Sequence, residues 1–158
     1  FEELALQELL PYWGNLLWRH AMGPMLQNML TIDLTLSENL VLRRLQQQPL
    51  TISEVAEYLY ITHSAASRAA DRLVRDGFVS RIEDTADRRQ KRLTLTDKGV
   101  ALVHDLQGRF SAGIEPLVAQ LSAREQEQFR LLVARMVSAQ LGNPEATCSD
   151  DAIFRNPL

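Results

Sequence analysis

One cysteine, Cys148, stands among 158 residues, which excludes an intrachain disulfide. Its neighbours Asp150 and Asp151 work against a thiolate, so it is a poor redox sensor in a polar tail. The three histidines, His20, His63 and His104, are widely separated, and no HxxxH or CxxC spacing occurs. No metal site is therefore read, and no cofactor is expected. The seven glycines are scattered: the chain has no phosphate-cradling glycine loop, no nucleophile elbow and no His-with-Glu metal motif, so it is not expected to be an enzyme. No apolar run is long enough to cross a bilayer, and no secretion signal or lipid-anchor motif is visible. No membrane partner is expected, and the cytoplasm is the expected location.

Net charge is also short on the positive side, at −3. It is unevenly placed. From Ile61 to Arg92 there are eight Lys or Arg against five Asp or Glu, a local +3 that leaves −6 for everything else. That concentrated cationic stretch is where the sequence is most informative.

Within it, Thr62 to Arg75 has helical periodicity. Ala66, Ala69, Ala70 and Leu73 fall at i, i+3, i+4 and i+7, one apolar stripe made mostly of alanine, so a neighbouring helix comes close to this backbone. The opposite face carries Ser64, Ser67, Arg68, Asp71, Arg72 and Arg75. Hydroxyls near a helix N-terminus reach base edges or phosphates, and arginine forks onto guanine O6 and N7. A solvated amphipathic helix would look the same on its own; the hairpin pattern behind it tips the balance.

Gly77 caps the helix, and Phe78–Glu83 alternates apolar and polar as a strand does. Lys91–Thr96 alternates likewise, with Leu93 and Leu95 on one face. The connecting DTADRRQ is too long for a two-residue turn and places Arg88 and Arg89 at its tip. Arginine is drawn to the negative potential of a narrow minor groove, and Asp87 either braces a guanidinium or makes an ordinary surface ion pair. Helix, then basic-tipped hairpin, then helix is the order of a winged helix-turn-helix, which presents one part to each groove of a duplex.

These residues resemble the MarR family of bacterial transcription regulators. Its Asp, any residue, Arg, strand and LTxxG signature is matched by Asp87, Arg88, Arg89, Leu95, Thr96 and Gly99. The match extends upstream through Ser64, Ser67, Arg68, Asp71, Arg72, Leu73, Gly77, Val79 and Arg81. The resemblance implies a mainly helical homodimer with a small β-hairpin wing that binds a pseudo-palindromic operator. It also implies repression relieved by a small effector. The carried-over roles are Arg89 in the minor groove, Asp87 as its brace, and Ser64, Ser67 and Arg68 in the major groove. Thr62, His63 and Arg72 complete the expected reading helix, and Lys91 the expected wing. Ala65 and Ala66 stand where relatives usually place Thr and Val, so contact from Ala65 is limited to apolar groups such as a thymine methyl.

Capping boxes set the other helix starts. Thr35 with Glu38, Thr51 with Glu54 and Ser122 with Glu125 each have the spacing in which a hydroxyl and a carboxylate satisfy orphan N–H groups. They predict helices over about 36–47 and 52–59, with Tyr60 and Ile61 as the turn, and a last helix carrying Phe129, Leu132, Val133, Met136 and Gln140. A further helix opens at Asp97 and carries Ala101, Val103, Leu106, Phe110, Ile114, Leu117 and Leu121. The stretch from Glu2 to Leu30 is helix-like, with a kink or break expected near Met22–Met25 from Gly23 and Pro24.

The expected organisation is one structural domain. Residues 35–96 form the winged helix-turn-helix, residues 1–34 and 97–142 a helical dimerisation region, and residues 143–158 a weakly ordered tail. Leu6, Leu9, Leu10, Trp13, Leu16, Leu17 and Met25 occupy more than one helix face, surplus that a second copy of the chain would cover. The resemblance also implies an effector, aromatic or amphipathic, lodged between the dimer helices and the DNA-binding lobe, a space expected to be lined by Trp13, Trp18, His20, Met22 and Met25, residues that core packing also explains. The alternative reading is a winged helix used for protein contact without DNA.

Overall fold

The computed structural model describes residue 1, residues 3–83 and residues 91–141. The wing tip (Asp87, Arg88 and Arg89), Cys148 and the expected tail 143–158 lie outside the described residues. The architecture is mainly helical with one two-stranded antiparallel sheet, as expected.

The chain opens with α1 (Leu6–Leu17), passes through a π-helical segment (Trp18–Met22) and continues as α2 (Gly23–Thr31). The predicted interruption thus takes the form of a wide turn rather than a break. Pro24 has no N–H to donate back into the preceding turn, and the π segment absorbs that gap ahead of it. Pro11 is tolerated inside α1.

Next come α3 (Leu36–Leu45), α4 (Ile52–Tyr58) and α5 (His63–Arg75). The first ends two residues earlier than predicted, its last turn tightening as the Gln47 N–H donates to the Arg44 carbonyl at 3.1 Å. Thr35 and Thr51 cap their helices as the spacing predicted. Each hydroxyl accepts from the N–H of Glu38 or Glu54, and each glutamate reaches back to the cap's own N–H, at 2.8 and 2.6 Å respectively. Tyr60, in the turn between α4 and α5, has a left-handed φ of 53°.

The hairpin consists of β1 (Val79–Glu83) and β2 (Lys91–Leu95), paired Val79 to Leu95 through Glu83 to Lys91. Leu50 bridges the other side of β2 at Leu93, which joins the α3–α4 connection to the wing. Gly77, at φ 78°, takes the positive backbone angle that ends α5 and turns the chain into β1. Thr96 then caps α6 (Asp97–Val118) while its hydroxyl donates to the Gly77 carbonyl, and Ser122 caps α7 (Ala123–Leu141).

One core runs through the centre: Met25, Met29, Leu34, Val41, Leu42, Leu45, Val55, Ala66, Ala70, Leu73, Val79, Leu93, Val103 and Leu106. The alanine stripe of α5 is part of it, with α4 packed against that face. Ala101, which the sequence pattern placed on the apolar rhythm of α6, is exposed. On α7, Phe129 and Val133 are half-buried whereas Leu132 and Met136 are exposed.

One close helix crossing is between α6 and the π segment. A β-carbon at Gly113 would collide with the His20 carbonyl and stand 2.7 Å from Cα of Ala21, itself fully buried. Gly108, on the same helix, has open space. We therefore expect Gly113→Ala to lower unfolding free energy by about 1–3 kcal/mol through overpacking. Gly108→Ala should raise it by up to about 1 kcal/mol through helix propensity. Urea titration of both variants checks the contrast; equal effects would remove the close crossing as a determinant.

Candidate nucleic-acid interface

The N-terminal half of α5 projects from the fold as a result of how it is anchored. Its buried stripe, Ala66, Ala70 and Leu73, fixes which residues turn outward. Thr62 is the N-cap, its hydroxyl accepting from Ala65 N–H at 3.3 Å and lying 3.1 Å from Ser64 Oγ. His63, Ser64 and Arg68 are exposed, while Ser67 and Ala65 are half-buried. Ala66, by contrast, is fully buried and offers a ligand nothing.

Beside this face runs an open groove of about 510 Å³ between the start of α4, α5 and the wing strands. His63 and Ser67 line it from α5, Thr51 and Ser53 from the start of α4, and Arg81 and Lys91 from the two strands. Hydroxyls on one wall and cationic side chains on the other are the donors a phosphate backbone accepts. Of the predicted residues, the structure brings His63, Ser67 and Lys91 together here, with Thr62, Ser64 and Arg68 on the adjoining helix face. Thr51, Ser53 and Arg81 were not among the residues expected to touch DNA, and only folding places them beside α5.

Ion pairs hold these elements to one another. Asp71 of α5 accepts from Arg81 of β1 at 2.5 Å, which fixes the wing's angle to the helix. Arg92 of β2 reaches Glu54 at 3.3 Å and the Pro49 carbonyl at 3.2 Å, which ties the wing to α4. Partial burial works to raise the Glu54 carboxyl. It is outweighed by hydrogen bonds from the Thr51 backbone and hydroxyl and by the nearby Arg92, so the group lies below the ordinary carboxylate range.

Arg72 has a different occupation from the one expected of it. Its Nε pairs with Glu38 Oε1 at 3.0 Å and its Nη2 lies 3.3 Å from Asp33 Oδ2, so the guanidinium is held by ion pairs to α3 and the turn before it. The spacing put Arg72 on the polar face of α5. It does not reveal that a carboxylate from another helix meets it there.

The five residues expected to hold an effector are divided. Met22 and Met25 line a cleft of about 570 Å³ between α2, α3 and α6, together with Leu36, Leu40, Val103, Leu106 and Phe110 and with Asn39, Arg43 and Ser111. Trp13 lies elsewhere, edge-on to Phe129 at 6.0 Å between ring centres, where it packs α1 on α7. Trp18 and His20 are exposed and border neither wall of the cleft. The sequence grouped these five by proximity along the chain; the π segment turns the first three away from the cleft that the last two face. Asn39 was missed, although its neighbour Glu38 lies on the i, i+3, i+4, i+7 stripe with Val41, Leu42 and Leu45, and a polar residue there is the signal.

Residues 32–90 match the family model described as MarR family. The HTH-type transcriptional regulator PapX of Escherichia coli is 26% identical over 93 residues, which is 59% of this chain and 57% of PapX. The chain thus spans little more than half the length of the curated relatives it matches. Among solved structures, a variant of S. aureus MepR bound to an oligodeoxyribonucleotide superposes with a TM-score of 0.64 at 27% identity, covering 87% of this chain and 99% of that one. S. aureus MepR bound to ethidium bromide superposes with a TM-score of 0.63 at 27% identity over 88% of this chain and 99% of that one.

Two outcomes are expected of these contacts. Arg72→Ala should cost about 3 kcal/mol of stability in urea, because it leaves the buried Glu38 charge uncompensated, whereas the exposed Arg68→Ala should change it by less than about 0.5 kcal/mol. Comparable losses would show that the Arg72 pair has no special standing. The second concerns acid. With its pKa depressed in the folded state, Glu54 stabilises above the unfolded value of 4.5, and that contribution is lost as pH falls through the lower folded value. The stability difference between the parent and Glu54→Gln should therefore be present at neutral pH and fade below pH 4.5, as followed by thermal melts.

Proposed function

We propose that this chain, whose residues 32–90 match the MarR family model, is a dimeric, sequence-specific DNA-binding transcription regulator, a repressor relieved by a small effector. The observation that carries this reading is the groove in which α5 and the wing strands set hydroxyls opposite Arg81 and Lys91. In the complex, Thr62, His63, Ser64, Ser67 and Arg68 enter the major groove. Lys91 and Arg81 track the phosphates, and Arg88 and Arg89 reach the minor groove with Asp87 as brace. Arg72 holds α5 in place. It is no enzyme: the bases and phosphates are read, and no bond is made or broken.

A second copy of the chain completes the reader. Leu6, Leu10 and Leu16 of α1 and Leu131, Leu132, Met136 and Val137 of α7 are exposed, on two helices joined through Trp13 and Phe129. Apolar area of that extent on helices of one body fits burial against an identical partner. Two-fold symmetry then sets two reading helices one duplex turn apart, about 34 Å, and makes the operator pseudo-palindromic. The effector is a small aromatic or amphipathic molecule seated in the α2–α3–α6 cleft, which adjoins both the helical region and the DNA-binding lobe. MepR's complexes with an oligodeoxyribonucleotide and with ethidium bromide support a fold that takes both kinds of ligand.

The test is titration of labelled duplexes recovered from a randomised pool. Affinity should fall by orders of magnitude between low and moderate salt, as counterion release requires. Arg89→Ala should weaken operator binding by about 1–3 kcal/mol with the dimer unchanged in sedimentation. A winged helix that contacts only protein would show no salt-dependent affinity for any duplex.

A further inference from the structure

Glu38 and Asn39 are successive residues of α3, and they are the two polar side chains that the fold buries among the described residues, each 3% exposed. They serve different neighbours. Glu38 Oε2 accepts from the Thr35 N–H at 2.8 Å and the Thr35 hydroxyl at 2.7 Å, while Oε1 forms an ion pair with Arg72 Nε on the reading helix at 3.0 Å. Both carboxylate oxygens are in use. Asn39 lines the α2–α3–α6 cleft, and its carboxamide oxygen has no hydrogen-bond partner among the described residues.

A buried acceptor without a donor is a standing cost that a cleft occupant carrying an N–H or O–H removes. Pairing with that occupant shifts the position α3 prefers. Since Glu38 is the adjacent residue on the same rigid helix, its carboxylate moves with Asn39, and a buried carboxylate does not give up its cation readily. Arg72 moves with it, and so does the face of α5 that reads DNA. We propose that the Glu38–Arg72 pair is the positioning link through which the cleft sets the reading helix, with Asn39 as its receiving end. The inference rests on the regulator reading and adds to it the route of control.

The test places an occupant in the cleft by tether. In the full chain with Cys148→Ser, Ser111→Cys at the exposed rim of the cleft is reacted with 3-hydroxybenzyl methanethiosulfonate, whose phenol brings the O–H donor that the Asn39 oxygen lacks. The thiolate forms a disulfide to the hydroxybenzylthio group and methanesulfinate leaves; dithiothreitol reverses the reaction. Duplex affinity is measured before tethering, after it and after reduction. With Arg72 present, tethering should change affinity at least tenfold and reduction should restore it. With Arg72→Gln the change should be under twofold, and with Arg72→Lys, which keeps a cation opposite Glu38, it should exceed threefold. Glu38→Gln replaces Arg72→Gln if the latter does not fold. An equal fold-change with and without the pair, or no change on tethering the parent, overturns the link while leaving the regulator reading intact. A parent that binds no duplex overturns both.

Discussion

The Glu38 carboxylate is shared between two elements, and the placement of the exposed face of α5 depends on that sharing. One oxygen closes the first turn of α3 and the other holds Arg72 of α5, 34 residues further along the chain. A carboxylate that is 3% exposed is costly to remove from water, so it persists only where donors surround it. The local capping box supplies two donors from the N-cap of α3. The compensating cation comes from a distant helix and is met only when the lobe is assembled. Packing of the alanine stripe sets how close α5 lies to its neighbours, and the ion pair sets its rotation.

The wing is attached by the same kind of chemistry at a smaller scale. Arg81 to Asp71 joins β1 to α5, Arg92 to Glu54 joins β2 to α4, and Leu50 extends the sheet from the side of α3. These side chains are partly exposed, and such pairs contribute modestly to stability. Their worth lies in direction: each fixes the hairpin to a different helix of the lobe, so that Arg81 and Lys91 border the same groove as Ser67 and His63.

Most of the fold was legible because it is written in local signals. The three capping boxes form as their spacing predicted, Gly77 ends α5, and the alternation in FVSRIE and KRLTL gives the two strands. The groove was legible only from the α5 side and at Lys91. Thr51, Ser53 and Arg81 reach it through tertiary contacts that no periodicity encodes. The same holds for Arg72, whose position on a polar helix face is compatible with solvent, nucleic acid or a carboxylate from elsewhere. The effector residues were grouped along the chain, and the wide turn at Trp18–Met22 then separated them in space. Asn39 left a faint trace, a carboxamide beside the apolar stripe of α3, and its meaning depends on the cleft that α2 and α6 build opposite it.

That wide turn also governs how the molecule can diverge. A π segment amounts to one residue more than a helix needs, accommodated without breaking it. Deleting a single residue between Trp18 and Met22 would return the stretch to ordinary helical winding and swing everything upstream by about 100° about the axis. The apolar sides of α1 would then point to a different quarter and the seat of Gly113 against His20 and Ala21 would have to be rebuilt, while the groove between α5 and the wing, built from other elements, kept its lining. Related chains thus have a one-codon route to redirecting α1.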